Sequence, residues 1–92
     1  MLKIKFYSQF KKDRKKALAR GLDDNLLREV ITILANEEKL PEKYRDHALL
    51  NSRKYLNAHE CHVKPDWLLI YCIDGNNLIL TLVRTGTHSD LF

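Results

Sequence analysis

Only two cysteines, Cys61 and Cys72, occur in the 92 residues. That is a poor count for the disulfide framework of a small secreted protein. Strands flanking a turn at Lys64 to Asp66 would set Cys61 opposite residue 69. Cys72 would then lie about 10 Å further along the strand, too far for a disulfide, so both are expected as free thiols. No apolar run reaches the roughly 20 residues that cross a bilayer. The opening MLKIKFY turns to charge at once, so no signal peptide is expected. These absences together point to a soluble cytoplasmic protein with no membrane partner. There is no internal repeat, low-complexity tract or linker, and residues 1–92 are expected to form one domain. A hydrophobic content of 45% lets the chain fold without metal or disulfide staples.

Charge is plentiful but unevenly placed. Sixteen Lys and Arg against twelve Asp and Glu give a net charge of +4. The excess lies near the start, where KKDRKKALAR carries six basic residues and one acid. Such a run is either a solvated helix face or a surface for an anionic partner, nucleic acid or an acidic protein segment. Charge alone does not choose between them.

The pattern along the chain predicts a short strand over residues 2–6. A helix follows from a Ser8 cap to about Arg20, with Phe10, Ala17 and Leu18 on its buried stripe and Gly21 ending it. Asp23 or Asp24 caps a second helix carrying Leu27, Val30, Ile31 and Leu34, closed near Asn36 and followed by Pro41. The short joint predicts an antiparallel helical hairpin. Residues 56–63, 67–73 and 77–84 read as a three-stranded antiparallel meander, turned at Pro65-Asp66 and at residues 74–77. The segment 44–50, YRDHALL, is a further strand or an extended approach to the sheet. The fold class is α+β, with an N-terminal strand and a helical hairpin on one face of a curled antiparallel sheet.

All four histidines, His47, His59, His62 and His88, lie in the second half. The run His59-Glu-Cys-His-Val-Lys-Pro-Asp-Trp67 invites a metal reading, but strand alternation turns residues three apart to opposite faces. His59 and His62 therefore cannot chelate one ion, His59 with Cys61 offers only two ligands, and no metal or cofactor is expected. A nucleophilic Cys61 is disfavoured because alternation turns it from both Glu60 and His62. Glu60 and His62 share a face, with Asp66 just round the turn. A second cluster is Arg84-Thr-Gly-Thr-His88, after which an apolar Leu-Phe ending can dock and hold His88 beside the sheet.

These are parts for cutting RNA. The substrate carries its own nucleophile, the 2′-hydroxyl, so no cofactor is needed. Histidine can remove that proton or protonate the departing 5′-oxygen. Arginine matches phosphate oxygens with parallel hydrogen bonds, and Phe92 can stack on an unstacked base.

Three ordered segments carry a resemblance. Asp46-His47-Ala-Leu, Glu60-Cys-His62-Val-Lys-Pro-Asp66-Trp-Leu-Leu-Ile-Tyr71 and Arg84-Thr-Gly-Thr-His88-Ser-Asp-Leu-Phe92 resemble the YafQ-type branch of the RelE/ParE toxin superfamily. The likeness spans the whole chain and implies the RelE-like, microbial-ribonuclease-like fold. It also implies a type II toxin–antitoxin toxin that cleaves messenger RNA on the ribosome, inhibits translation and growth, and is neutralised by a cognate antitoxin, acidic and DNA-binding. Carried over singly, His47, His62, Asp66, Arg84, His88 and Phe92 form the catalytic set, and Glu60 joins them. His47 or His62 is assigned as general base and His88 as general acid, with the reverse left open. Asp66 orients an imidazole or exchanges a proton itself, and Arg84 binds the scissile phosphate. In that setting Lys11, Lys12, Arg14, Lys15, Lys16 and Arg20 become the contact to ribosomal RNA, a surface an acidic antitoxin tail would also use. The alternatives are a non-catalytic ParE-like toxin, whose relatives lack this histidine set, and a degenerate toxin acting only as corepressor.

Overall fold

The computed structural model describes residues 1–49, 55 and 57–92. Strand β1 (Lys3–Phe6) leads into helices α1 (Ser8–Ala19) and α2 (Asp24–Ala35). A 3-10 turn at Glu42–Tyr44 precedes β2 (His47–Ala48), β3 (His59–Lys64), β4 (Trp67–Asp74), β5 (Ile79–Gly86) and the short α3 (His88–Leu91). The strands form one sheet in the order β1-β5-β4-β3-β2. From β2 to β5 neighbours are antiparallel, whereas β1 joins the edge parallel to β5, a pairing that the sequence alone leaves open. Among the described residues no helix is long and apolar enough to cross a membrane.

Alternation builds two cores on the two faces. Cys61, Val63, Trp67, Leu69, Tyr71, Leu80 and Leu82 face α1 and α2, where they meet Phe10, Ala17, Leu27, Val30 and Leu34. Leu68, Ile70 and Val83 point the other way and pack with Tyr55, Ala58 and Leu91. Strand β4 lies between these cores, so its run WLLIY is buried on both faces.

Local signals mostly act as expected. Asp23 caps α2, its side chain accepting from the Asn25 N–H at 2.9 Å. Gly21, at φ 87°, adopts the left-handed turn that ends α1. Cys61 opposes Leu69, and both cysteines are free thiols. Three details differ. Tyr7, not Ser8, holds the N-cap of α1 and makes no side-chain cap bond, because Ser8 is already in the first turn. Leu18 is exposed, and the buried stripe is Phe10, Asp13 and Ala17. The strand within 44–50 contracts to His47–Ala48, and Leu50 lies outside the described residues.

Helix α3 has only four residues, too few to hold itself. A reciprocal capping box joins Thr87 and Asp90, and Gly86 lets the Asp90 side chain approach to 3.0 Å of where a Cβ would stand. Leu91 is fully buried, worth about 2 kcal/mol against exposure. The Tyr55 hydroxyl donates to the Leu91 carbonyl at 2.9 Å, and Arg20 bonds Asp90 at 2.7 Å. The apolar ending therefore docks, and it carries His88 to the sheet.

Candidate active site

Register sets the first pair. Glu60 opposes Ile70 and His62 opposes Leu68, so both acid and imidazole stand on the second face, with His47 opposite Glu60 from β2. His59 and Cys61 turn to the other face, where His59 stacks on Tyr71 at 5.5 Å and Cys61 is wholly buried. Burial, with the nearby Asp46 and Glu60 carboxylates, pushes the Cys61 thiol far up, which leaves it inert as a nucleophile.

The Glu60 side chain is 8% exposed, and its Oε1 lies 3.2 Å from His62 Nε2 and 3.9 Å from His47 Nε2. Each ring is held from behind by a backbone carbonyl. His47 Nδ1 is 2.8 Å from the Arg45 oxygen, and His62 Nδ1 is 3.2 Å from the Pro65 oxygen. A carbonyl can only accept, so Nδ1 carries a proton in both rings. His62 then meets a carboxylate with its other nitrogen. The ring thus stands between two acceptors, a carbonyl and a carboxylate, either of which can take an N–H from it.

His88 comes from α3 on a different support. Its Nδ1 is 2.6 Å from Asp66 Oδ1, and its backbone N–H donates to the same oxygen at 3.0 Å. These two bonds, the backbone one foremost, hold the Asp66 carboxyl below the usual range, so Asp66 is an ionised acceptor. Nδ1 of His88 therefore donates to Asp66, and Nε2 is the ring nitrogen left outside that pair. The His62 and His88 ring centroids are 5.6 Å apart, and those of His47 and His62 are 6.4 Å apart.

Arg84 and Phe92 stand differently. Arg84 opposes Ile70 on β5, in line with Glu60 but two strand spacings, about 10 Å, away. A bulge at Ile70/Tyr71 places Val83 with Leu68 and Ile70 in the second core. Its guanidinium reaches Asp13 on α1, with Nε to Oδ2 at 2.6 Å and Nη2 to Oδ1 at 3.1 Å. The edge of the fork best suited to phosphate is thereby occupied by a carboxylate. Phe92 is 56% exposed and rests edge-on against Tyr55 at 5.5 Å.

Asp13 is the residue that sequence reasoning missed. It is buried and accepts from Gln9, from Arg84 twice and from the Thr85 N–H. Its signal was that it is the one acid in a basic run. The rest of that run is less free than its charge suggests. Arg14 is clamped on Asp24 at 2.6 and 2.8 Å, Arg20 is on Asp90, Lys16 lies 3.7 Å from Asp90, and Lys11 sits over the Phe6 ring. Lys12 and Lys15 remain without an ion pair among the described residues.

The expectation of no metal weighed ligands within one strand. The fold adds His88, and ligand atoms of Glu60, His62 and His88 lie within 4.8 Å of one another. Two imidazoles and a carboxylate suit copper or zinc, and both rings have the outer partners, Pro65 O and Asp66, that orient metal-bound histidines. The donors fit such an ion. An ion held there would occupy the same imidazole nitrogens that acid/base chemistry would need.

Residues 2–92 match the family described as "Bacterial toxin of type II toxin-antitoxin system, YafQ". The mRNA interferase toxin YafQ of Escherichia coli (strain B / BL21-DE3) is 42% identical over 90 residues, 97% of this chain and 94% of that protein. A metal-bound toxin from Helicobacter pylori superposes with a TM-score of 0.92 at 44% identity, covering 100% of each chain. YafQ in the E. coli DinJ-YafQ complex superposes at 0.89 and 40% identity, covering 100% of this chain and 99% of that one.

Proposed function

The chain belongs to the YafQ family of type II toxin–antitoxin toxins, and from that premise we propose that it is an endoribonuclease. It cleaves messenger RNA by acid/base catalysis with the substrate 2′-hydroxyl as nucleophile. One observation supports this most. Two imidazoles 5.6 Å apart stand on different supports, His62 against Glu60 and a carbonyl, His88 against the ionised Asp66. In the proposed cycle one gives a proton and the other receives one.

The step balances without a cofactor. His88 Nε2 takes the 2′-hydroxyl proton, the 2′-oxygen bonds to phosphorus, and the bond to the 5′-oxygen breaks. His62 Nε2 gives its proton to that oxygen, leaving a cyclic phosphate and a 5′-hydroxyl. Asp66 fixes the tautomer of His88 rather than exchanging a proton, since its lowered carboxyl stays ionised. Glu60 stands where it can hold a proton on His62, and His47 lends a further donor to the phosphate once its Nε2 is protonated. Arg84, held by Asp13 and beside the Tyr55 hydroxyl, contributes its positive charge to the phosphate. Phe92 offers an open ring face to a base.

The cognate partner is an antitoxin, as the E. coli relative's complex with DinJ supports, and an acidic tail fits the basic surface. Ribosomal RNA is the second polyanion that Lys12 and Lys15 would meet, with the decoding site of the ribosome as the proposed place of action. Expression of wild type and His88→Ala, with messenger cleavage mapped with and without ribosomes, tests the reading. Growth arrest and cleavage by wild type alone are expected; equal arrest without cleavage would remove the enzyme.

A further inference from the structure

His62 is also part of the wall of a second cavity, of about 310 Å3, between the N-terminal half of α2, the 3-10 turn and the β3–β4 turn. That volume lies in the range of small-ligand sites. Three cations surround it, Lys43, Arg45 and Lys64, against a single acid, Glu29. Among the described residues none of the three cations makes an ion pair, in contrast to Arg14, Lys16 and Arg20 on α1.

The cations are built into the same scaffold as the histidines. Lys43 lies over the buried Tyr44 ring, 4.9 Å from its centroid, which limits where its ammonium can go. Arg45 has left-handed backbone at φ 47°, unusual for a residue with a side chain, and its carbonyl is the one that holds His47 Nδ1. Lys64 directly precedes Pro65, whose carbonyl holds His62. His62 is therefore the residue that the Glu60, His62 and His88 cluster shares with this positively charged recess.

We propose that this recess is an RNA subsite, in which Lys43, Arg45 and Lys64 hold the phosphate adjoining the one that is cut. The proposal rests on the nuclease reading above. A polyanion crossing the histidine cluster must continue on one side of it, and here uncompensated charge and open volume coincide. Each such contact to single-stranded RNA adds about 0.7 to the slope of log affinity against log salt.

The test uses messenger oligonucleotides carrying a neutral methylphosphonate at the linkage on either side of the scissile one. Cleavage by wild type is compared with Lys43→Ala/Lys64→Ala; Arg45 is kept because its backbone supports His47. One neutral linkage should raise KM for wild type by about tenfold, with kcat within about twofold. The double variant should show the raised KM already and respond little to the methylphosphonate. Lys43→Arg/Lys64→Arg should restore both the KM and the sensitivity, which separates lost charge from lost folding. If the double variant and the methylphosphonate act independently, each adding its full effect, the recess does not hold that phosphate. Wild type that cuts no RNA would instead remove the nuclease reading and the subsite with it. A wild type that cuts while His88→Ala does not keeps the two questions apart.

Discussion

Asp66 Oδ1 accepts both the backbone N–H and the ring Nδ1 of His88, at 3.0 and 2.6 Å. One oxygen thus fixes both the start of α3 and which nitrogen of His88 is left open. Asp66→Ala should lower kcat by roughly 100-fold with KM changed only a few-fold, since a misplaced base forfeits much of what a general base supplies. The pH sign follows from the lowered carboxyl. Its contact with His88 contributes fully above about pH 4 and is lost as pH falls through the lowered value. Amide protection of His88 measured against pH should therefore persist into mild acid in wild type. Protection that fades while Asp66 is still ionised would oppose this account.

The division of labour between His62 and His88 is separable by leaving group. A 5′-bridging phosphorothiolate leaves as a thiolate and needs no general acid. Cleavage of that substrate by His62→Ala should recover most of the lost rate, whereas His88→Ala should stay roughly 100-fold or more impaired. Recovery in His88→Ala and not in His62→Ala would reverse the two roles.

Much of this site was legible in the sequence, and the reason is alternation. The letters HECH place Glu60 with His62 and His59 with Cys61 as soon as the segment is a strand, and the turn at Pro65 puts Asp66 at the rim. The docking of Leu91, which brings His88 in, followed from an apolar ending. Arg84 was different. Its side chain is fixed by a bulge at Ile70/Tyr71 and by an acid 71 positions earlier. No local pattern reports a contact that far apart, and a lone Asp13 among lysines looks like a solvated residue. The ion pairs of Arg14 and Arg20 were hidden for the same reason, since Asp24 and Asp90 reach them only once the chain has folded.

Asp13 makes a stability prediction. Its side chain is 7% exposed and that of Arg84 21%. Asp13→Ala strips an acceptor from Arg84, Thr85 and Gln9, and loss of one partner of a buried pair costs about 3 kcal/mol. Urea unfolding should show that loss, and it should exceed the loss from Lys12→Ala, which should stay within about 0.5 kcal/mol. Equal stabilities for the two variants would mean that Arg84 does not depend on Asp13.

Copper or zinc should bind at Glu60, His62 and His88 and stop cleavage, because the ion occupies the nitrogens that carry protons. Titration calorimetry should show one site, lost in Glu60→Gln/His62→Gln, and a chelator should restore activity. Inhibition that survives in that variant would place the ion elsewhere.

The central claim is that the 2′-hydroxyl of the substrate is the nucleophile and that His62 and His88 move its protons. The most direct measurement is single-turnover cleavage of a messenger with one 2′-deoxynucleotide at the scissile position, with end-group analysis of the products. The account predicts a 2′,3′-cyclic phosphate and a 5′-hydroxyl from the normal strand, and no cut at the deoxy position. Undiminished cleavage of the deoxy strand would contradict it.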